Sequence, residues 1–203
     1  MKILSLNKLS SATIIDEALQ VLAQGGIVSY ASESFYALGV QAFDRNAVEK
    51  LFEIKQRPQE KPVPLIVGTM DVLRSVVKTV SPQAKELIDQ YWPGPLTILF
   101  PAREKLPSLL TGATGNAALR IPGSGIALDL AKAFAAPLTA TSANISGRPP
   151  AETPSDVRAY FGDAIDLIID SGRAPGGQPS TIVDATVNPP VILRQGRIVL
   201  DLH

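Results

Sequence analysis

Short apolar runs recur between amphipathic helical stretches, and this alternation limits the possible folds more than any other feature of the chain. Val63–Val67 and Leu96–Phe100 offer almost no polar side to water. Strands of that kind must be covered on both faces, which in practice means helices packed on a sheet. Further strands are predicted at 27–31, 118–121, 137–141, 165–169, 181–184 and 191–193. Between them, Ser10 or Ser11 can cap a helix that turns Ile14, Ala18, Val21 and Leu22 to one face and stops at Gly25-Gly26. Asp44 can cap a second, with Ala47, Val48, Leu51 and Phe52 inward, ending before Pro58. Helices are also expected at 71–78, 83–91 and 124–135, the last rich in small residues, and near Thr153-Pro154. The fold class is therefore α/β, a twisted mixed sheet flanked by helices. With 203 residues, 45% of them hydrophobic, residues 1–203 suffice for one domain around one substantial core.

Charge and residue inventory exclude several functions. Lys plus Arg equals Asp plus Glu at 19 each, so there is no general basic coat for nucleic acid, although a local basic cleft is allowed. There is no Cys, hence no disulfide, thiolate metal site or cysteine nucleophile, which fits a cytoplasmic protein. The single His is the terminal His203, expected to fray and take no part in catalysis. The N-terminus is apolar only briefly before Asp16 and Glu17, unlike a signal peptide, and no run is long enough to span a membrane.

Two segments concentrate groups suited to an anion. Lys55-Gln-Arg57-Pro-Gln-Glu-Lys61-Pro62 sets three cations at a helix end and on a loop stiffened by two prolines. They either complement the helix dipole and stay solvated, or close on a polyphosphate, with Arg57 able to make a forked pair of bonds. Leu138-Thr-Ala140-Thr-Ser142-Ala-Asn144 runs a short strand into small hydroxyl and amide residues, either an ordinary strand exit or a ligand edge. Ser32, Ser34 and Tyr36 alternate, and period two places them on one side of an extended segment. Arg120, inside an apolar strand, must find a partner, either a structural ion pair or a substrate carboxylate. Gly172–Ser180 is a Gly/Pro loop, either a connector or a lid, and Arg194 and Arg197 flank Gly196 in a tight turn. No Gly-x-x-x-x-Gly-Lys-Ser/Thr loop is present.

In order along the chain, Ser32-Glu-Ser-Phe-Tyr-Ala-Leu-Gly39, Lys55-Gln-Arg57-Pro with Lys61-Pro62, Trp92-Pro-Gly-Pro-Leu-Thr97, Leu119-Arg-Ile-Pro122, Thr141-Ser-Ala-Asn-Ile-Ser-Gly147, Ser180-Thr-Ile-Val-Asp184 and Leu193-Arg-Gln-Gly196 make the chain resemble the YrdC-like threonylcarbamoyl-AMP synthase family over nearly its whole length. The resemblance implies a YrdC-like fold with a large concave cleft. It also implies ATP-dependent synthesis of L-threonylcarbamoyladenylate from L-threonine and bicarbonate or CO2, with release of pyrophosphate. The product would feed N6-threonylcarbamoyladenosine formation in tRNA through a downstream transferase. Carried over position by position, Lys55, Arg57, Lys61, Ser142, Asn144 and Arg194 would hold ATP, with Lys55 and Arg57 acting in catalysis. Ser34, Arg120, Ala140 and Ser180 would surround threonine. Mg2+ would ride with the phosphates, since no carboxylate cage is visible for it. With only a few residues after Arg197, the extra C-terminal domain of longer relatives is not expected.

The family usually has Pro-Thr-x-Thr-x-Tyr-Gly-Leu where this chain has Ala31-Ser32-Glu33-Ser34-Phe35-Tyr36-Ala37-Leu38. Each Thr-to-Ser change keeps a hydroxyl and loses a methyl, worth roughly 1 kcal/mol of packing, while Ala37 adds a Cβ. Such residues resemble the YciO-like branch, so an RNA-binding protein without synthase activity is one alternative. A carbamoyl-transfer relative is another. A balanced net charge and only 5% aromatic residues weigh against broad RNA binding.

Overall fold

The computed structural model describes residues 1–200; His203 lies outside the described residues. Eleven strands and six α-helices follow in order: β1 (Lys2–Ser5), α1 (Ser11–Ala23), β2 (Val28–Ala31), β3 (Tyr36–Gly39), α2 (Arg45–Ile54), β4 (Leu65–Ile66), α3 (Met70–Val76), α4 (Pro82–Tyr91), β5 (Leu96–Pro101), β6 (Asn116–Arg120), α5 (Ile126–Phe134), β7 (Leu138–Thr139), β8 (Thr141–Ser142), α6 (Pro154–Phe161), β9 (Leu167–Asp170), β10 (Thr181–Asp184) and β11 (Val191–Arg194). The helix starts follow their caps. Ser10 accepts from the Thr13 N–H, Asp44 from Ala47 and Ser81 from Ala84, while Thr153 and Asp156 form a reciprocal capping box. Among the described residues no helix is long and apolar enough to cross a membrane.

The expected mixed α/β architecture is built as two sheets, ordered β1-β9-β2-β3-β8 and β11-β10-β5-β6-β4-β7. Both mix parallel and antiparallel pairs. The run predicted as one strand over 137–141 breaks at Ala140. Leu138–Thr139 pairs antiparallel with β4 in the second sheet, and Thr141–Ser142 pairs antiparallel with β3 in the first. Between the halves, the Ala140 N–H donates to Pro64 O at 2.8 Å. The chain changes sheets at only two other places, residues 55–64 between α2 and β4, and residues 171–180 between β9 and β10.

Each sheet is sealed by its helices. Val48 and Leu51 of α2 pack in one buried cluster with Leu65 and Ile98. Ile14, Ala18 and Leu22 of α1 join Leu130 of α5 and Leu167 of β9 in the other. The small residues of α5 serve a close approach, because a Cβ on Gly68 would lie 2.5 Å from the Ala131 carbonyl. Two strands escape the sequence pattern. β1 is half exposed and lacks a clean period. β3 is the return arm of a hairpin with β2, so residues 30–39 are not one extended segment. The reason is Ser32, whose hydroxyl donates to Phe35 O at 2.7 Å and folds the chain back.

Candidate active site

The three sheet crossings and the β2–β3 turn surround a cavity of about 360 Å³. That size falls in the usual range for small-ligand sites. Arg57 and Pro62 come from the first crossing, Ala140 and Ser142 from the second, Pro179 and Ser180 from the third. Ser34, Tyr36 and Ala37 come from the hairpin, and Thr97, Arg120 and Arg194 from the strands of the second sheet. Of the candidates read from the sequence, Ser34, Arg57, Arg120, Ala140, Ser142, Ser180 and Arg194 line it, whereas Lys55, Lys61 and Asn144 do not. Ser32 and Tyr36 also reach it, though from a turn and a strand and not from one extended face.

Arg57 is aimed by the end of α2. After Lys55 the chain reverses through Gln56 at φ 50°, and the Arg57 N–H returns to Phe52 O at 3.0 Å. The loop then curls round its own arginine, whose Nε donates to Lys61 O at 3.0 Å and Nη2 to Pro62 O at 2.8 Å. Burial pulls the guanidinium below the ordinary arginine value. Lys55 points the other way. Its buried amine donates to Ser142 O at 2.5 Å and Asn144 O at 2.7 Å, and its carbonyl accepts from the Ser146 N–H at 2.9 Å. Asn144 is spent similarly, its Oδ1 accepting from the Ser142 hydroxyl at 2.6 Å and its Nδ2 donating to Arg148 O at 2.6 Å. Lys55 and Asn144 thus shape the edge that presents Ser142. Lys61 is exposed on the loop.

Arg120 meets the residue that sequence reasoning passed over. Its Nη1 donates to Glu33 Oε1 at 2.8 Å, and the Gly123 N–H donates to the same oxygen at 2.8 Å. Both side chains are largely buried, 11% and 17% exposed. Burial pushes the Glu33 carboxyl up, but Arg120's charge and these hydrogen bonds outweigh it and hold the group below the usual carboxylate range. Of the two alternatives read from the sequence, the ion pair is present, and Arg120 also lines the cavity where a substrate carboxylate would lie. The signal was present in the sequence, since a buried Arg requires a carboxylate and Glu33 stands in a quoted motif.

The 172–180 loop is tied down as the remaining wall. The Tyr36 hydroxyl donates to Gly172 O at 2.7 Å, and the Gly176 N–H donates to Ser34 O at 2.7 Å. The Ser180 and Thr97 hydroxyls pair at 2.9 Å, while Arg194 Nη2 donates to Ser180 O at 2.7 Å. Burial, and then the charge of Arg120, pull the Arg194 guanidinium down. Behind this wall sits Gly196, where a Cβ would fall 2.3 Å from Pro179 O and 2.6 Å from Ser180 O. Gly196→Ala should therefore push the Ser180 wall aside, at about 1–3 kcal/mol of overpacking. Urea unfolding should show that loss, and ligand titration a weakened site.

The family described as telomere recombination, which groups Sua5, YciO and YrdC sequences, matches residues 20–196. A threonylcarbamoyl-AMP synthase of Pyrococcus abyssi is 37% identical over 180 residues, covering 89% of this chain and 53% of its own length. One from Klebsiella pneumoniae is 35% identical over 193 residues, covering 94% of this chain and 99% of its own. The chain therefore spans about half of the first relative and nearly all of the second. The crystal structure of P. abyssi Sua5 complexed with L-threonine superimposes with a TM-score of 0.88 at 35% identity, covering 96% of this chain and 57% of that one. On the breadth of the match and the shared fold, this chain belongs to the Sua5/YciO/YrdC family.

Proposed function

We propose that this chain is a threonylcarbamoyl-AMP synthase, joining L-threonine, CO2 or bicarbonate and ATP with release of pyrophosphate. One observation carries the reading. Three guanidiniums, Arg57, Arg120 and Arg194, converge on one cavity, and among the described residues only Arg120 has a carboxylate partner. Such a site suits a polyanion beside a second, smaller anion. The chain has no Cys, no His lines the cavity among the described residues, and the chemistry does not require either. A neutral threonine amine adds to CO2 and loses a proton. The resulting carbamate oxygen then attacks the α-phosphorus, and pyrophosphate leaves. Positioning, charge neutralisation and exclusion of water supply the acceleration.

Arg57 and Arg194, with Ser142 and the exposed Lys61 on the loop of Arg57, would take the phosphates. Lys55 and Asn144 would act from behind, by fixing the Ser142 edge. Ser34, Ala140 and Ser180 would frame the amino acid, with its carboxylate on Arg120. ATP would enter as its Mg2+ complex. Among the described residues no cluster of three or more His, Cys, Asp or Glu is placed to hold a metal. The product would pass to a transferase acting on tRNA, and the reaction would run in the cytoplasm.

The test is pyrophosphate release with ATP, Mg2+ and bicarbonate, with and without L-threonine. Threonine-dependent release with formation of the adenylate is expected. Tight, salt-dependent RNA binding without turnover would instead favour the YciO-like reading, and turnover on carbamoyl phosphate the carbamoyl-transfer one. In the same assay Arg120→Ala should raise the threonine KM about 10- to 100-fold, the loss expected for one charged hydrogen-bonding partner. The ATP KM should move far less. An unchanged threonine KM would remove Arg120 from the amino-acid site.

A further inference from the structure

The three cavity arginines are not electrically equivalent. Arg57 and Arg194 donate to carbonyl and hydroxyl oxygens, and among the described residues neither has a salt-bridge partner. Arg120 alone is paired, at 2.8 Å, with Glu33. The carboxylate is held on one oxygen by Arg120 and the Gly123 N–H, while its other oxygen, Oε2, is buried without a hydrogen-bond partner. Glu33 does not itself line the cavity, but its neighbours Ser32 and Ser34 and its partner Arg120 do, so its poorly solvated charge acts on the cavity from just behind that wall. The backbone of the same residue is fixed as well, since Glu33 O accepts from Arg197 Nη1 at 2.9 Å.

We propose that Glu33 sorts the anions of this cavity: paired with Arg120, it reserves that guanidinium for a monocarboxylate that carries its own cation, and leaves the polyphosphate to Arg57 and Arg194. A polyphosphate approaching Arg120 meets the Glu33 charge with a net negative charge that one Mg2+ offsets only in part. A zwitterionic amino acid meets an ion pair with an ion pair, and its carboxylate finds guanidinium donors beyond the one Glu33 uses. Sorting is needed because the two subsites share one space. Arg120's charge is felt at Arg194, so without Glu33 the three cations would form one continuous polyanion trap. Glu33 is in this sense a specificity-determining residue, acting through Arg120 and through its own charge.

The inference rests on the threonine reading above, and Glu33→Gln tests it, because glutamine keeps the length and an acceptor oxygen for Arg120 and Gly123 while losing the charge. Inorganic tripolyphosphate is the probe. Against the wild-type protein it should compete with ATP and leave the threonine KM within about twofold. Against Glu33→Gln the same concentration should raise the apparent threonine KM about fivefold or more, as expected when a partly screened like charge is removed. Calorimetry on ligand-free protein should show tripolyphosphate binding the variant more tightly, with a steeper salt dependence. Glu33→Asp, which restores the charge, should return the wild-type pattern, so a general packing defect cannot imitate the result. The proposal fails if tripolyphosphate already competes with threonine in the wild type, or if Glu33→Gln leaves both competition and tripolyphosphate affinity unchanged. Wild-type protein that binds no threonine would overturn the proposed function instead, and the tripolyphosphate titrations would still decide the role of Glu33.

Discussion

Arg57→Ala should lower threonine-dependent pyrophosphate release by about 10²- to 10³-fold, the range seen when one preorganised donor is removed from a developing charge. The argument starts from commitment. Arg57 lines the cavity, its loop is stiffened by Pro58 and Pro62, and two of its donors fix it to Lys61 O and Pro62 O. Little side-chain freedom remains to be lost when a phosphate arrives. The carbonyls it holds lie in an exposed loop, so water can replace it there, and stability should fall by only about 1 kcal/mol. Activity and folding are thereby separated in one variant. Arg57→Lys should fall between, because an ammonium keeps the charge but not the planar fork. Steady-state kinetics alongside thermal unfolding reads both quantities. Activity within about threefold of wild type would take Arg57 out of the charge-stabilising set.

The parts of this molecule that were legible from sequence are those governed by local rules. The start of α1 at Ser10 or Ser11, the Asp44 cap, the start of α6 near Thr153-Pro154 and the inward face of α2 are fixed by neighbours within a few residues, so pattern alone reached them. The membership of the cavity was also largely legible, because small hydroxyls, glycines and misplaced cations mark where a chain serves something other than its core. The wiring was not. Lys55 and Arg57 stand two residues apart, yet one amine turns inward to residues 142 and 144 while the other side chain faces the cavity. That difference depends on the reversal at Gln56 and on a segment almost ninety residues away. The sheet switch at Ala140 was equally hidden, since a strand that changes partners midway keeps the same apolar pattern throughout. Glu33 was missed for a related reason: its partner Arg120 lies on another sheet.

Lys55→Met should destabilise the protein in a pH-dependent way and loosen the Ser142 edge. Methionine keeps the apolar stem but removes the donor from two carbonyls, Ser142 O and Asn144 O, at about 1–3 kcal/mol each. Against that, wild type bears the cost of burying an amine. Burial first, and then the charge of Arg57, pull Lys55 down to about 7, whereas an unfolded lysine titrates near ~10.4. Between those values the unfolded chain binds more protons than the folded one, so the Lys55 contribution to stability grows as pH rises, by at most about 1.4 kcal/mol per unit. It is complete above the unfolded value and is lost as pH falls toward the folded one, below which it is flat. The gap between wild type and Lys55→Met should thus be smallest near pH 6 and largest near pH 10, read from urea midpoints across that range. Parallel curves would show that the amine stays charged throughout. A neutral amine still has two N–H groups for the two carbonyls it serves, so the Ser142 edge stays fastened as the charge is lost. Wild-type activity should therefore survive deprotonation of Lys55, while Lys55→Met should lose about tenfold or more at every pH, in line with the cost of misplacing one substrate-positioning group.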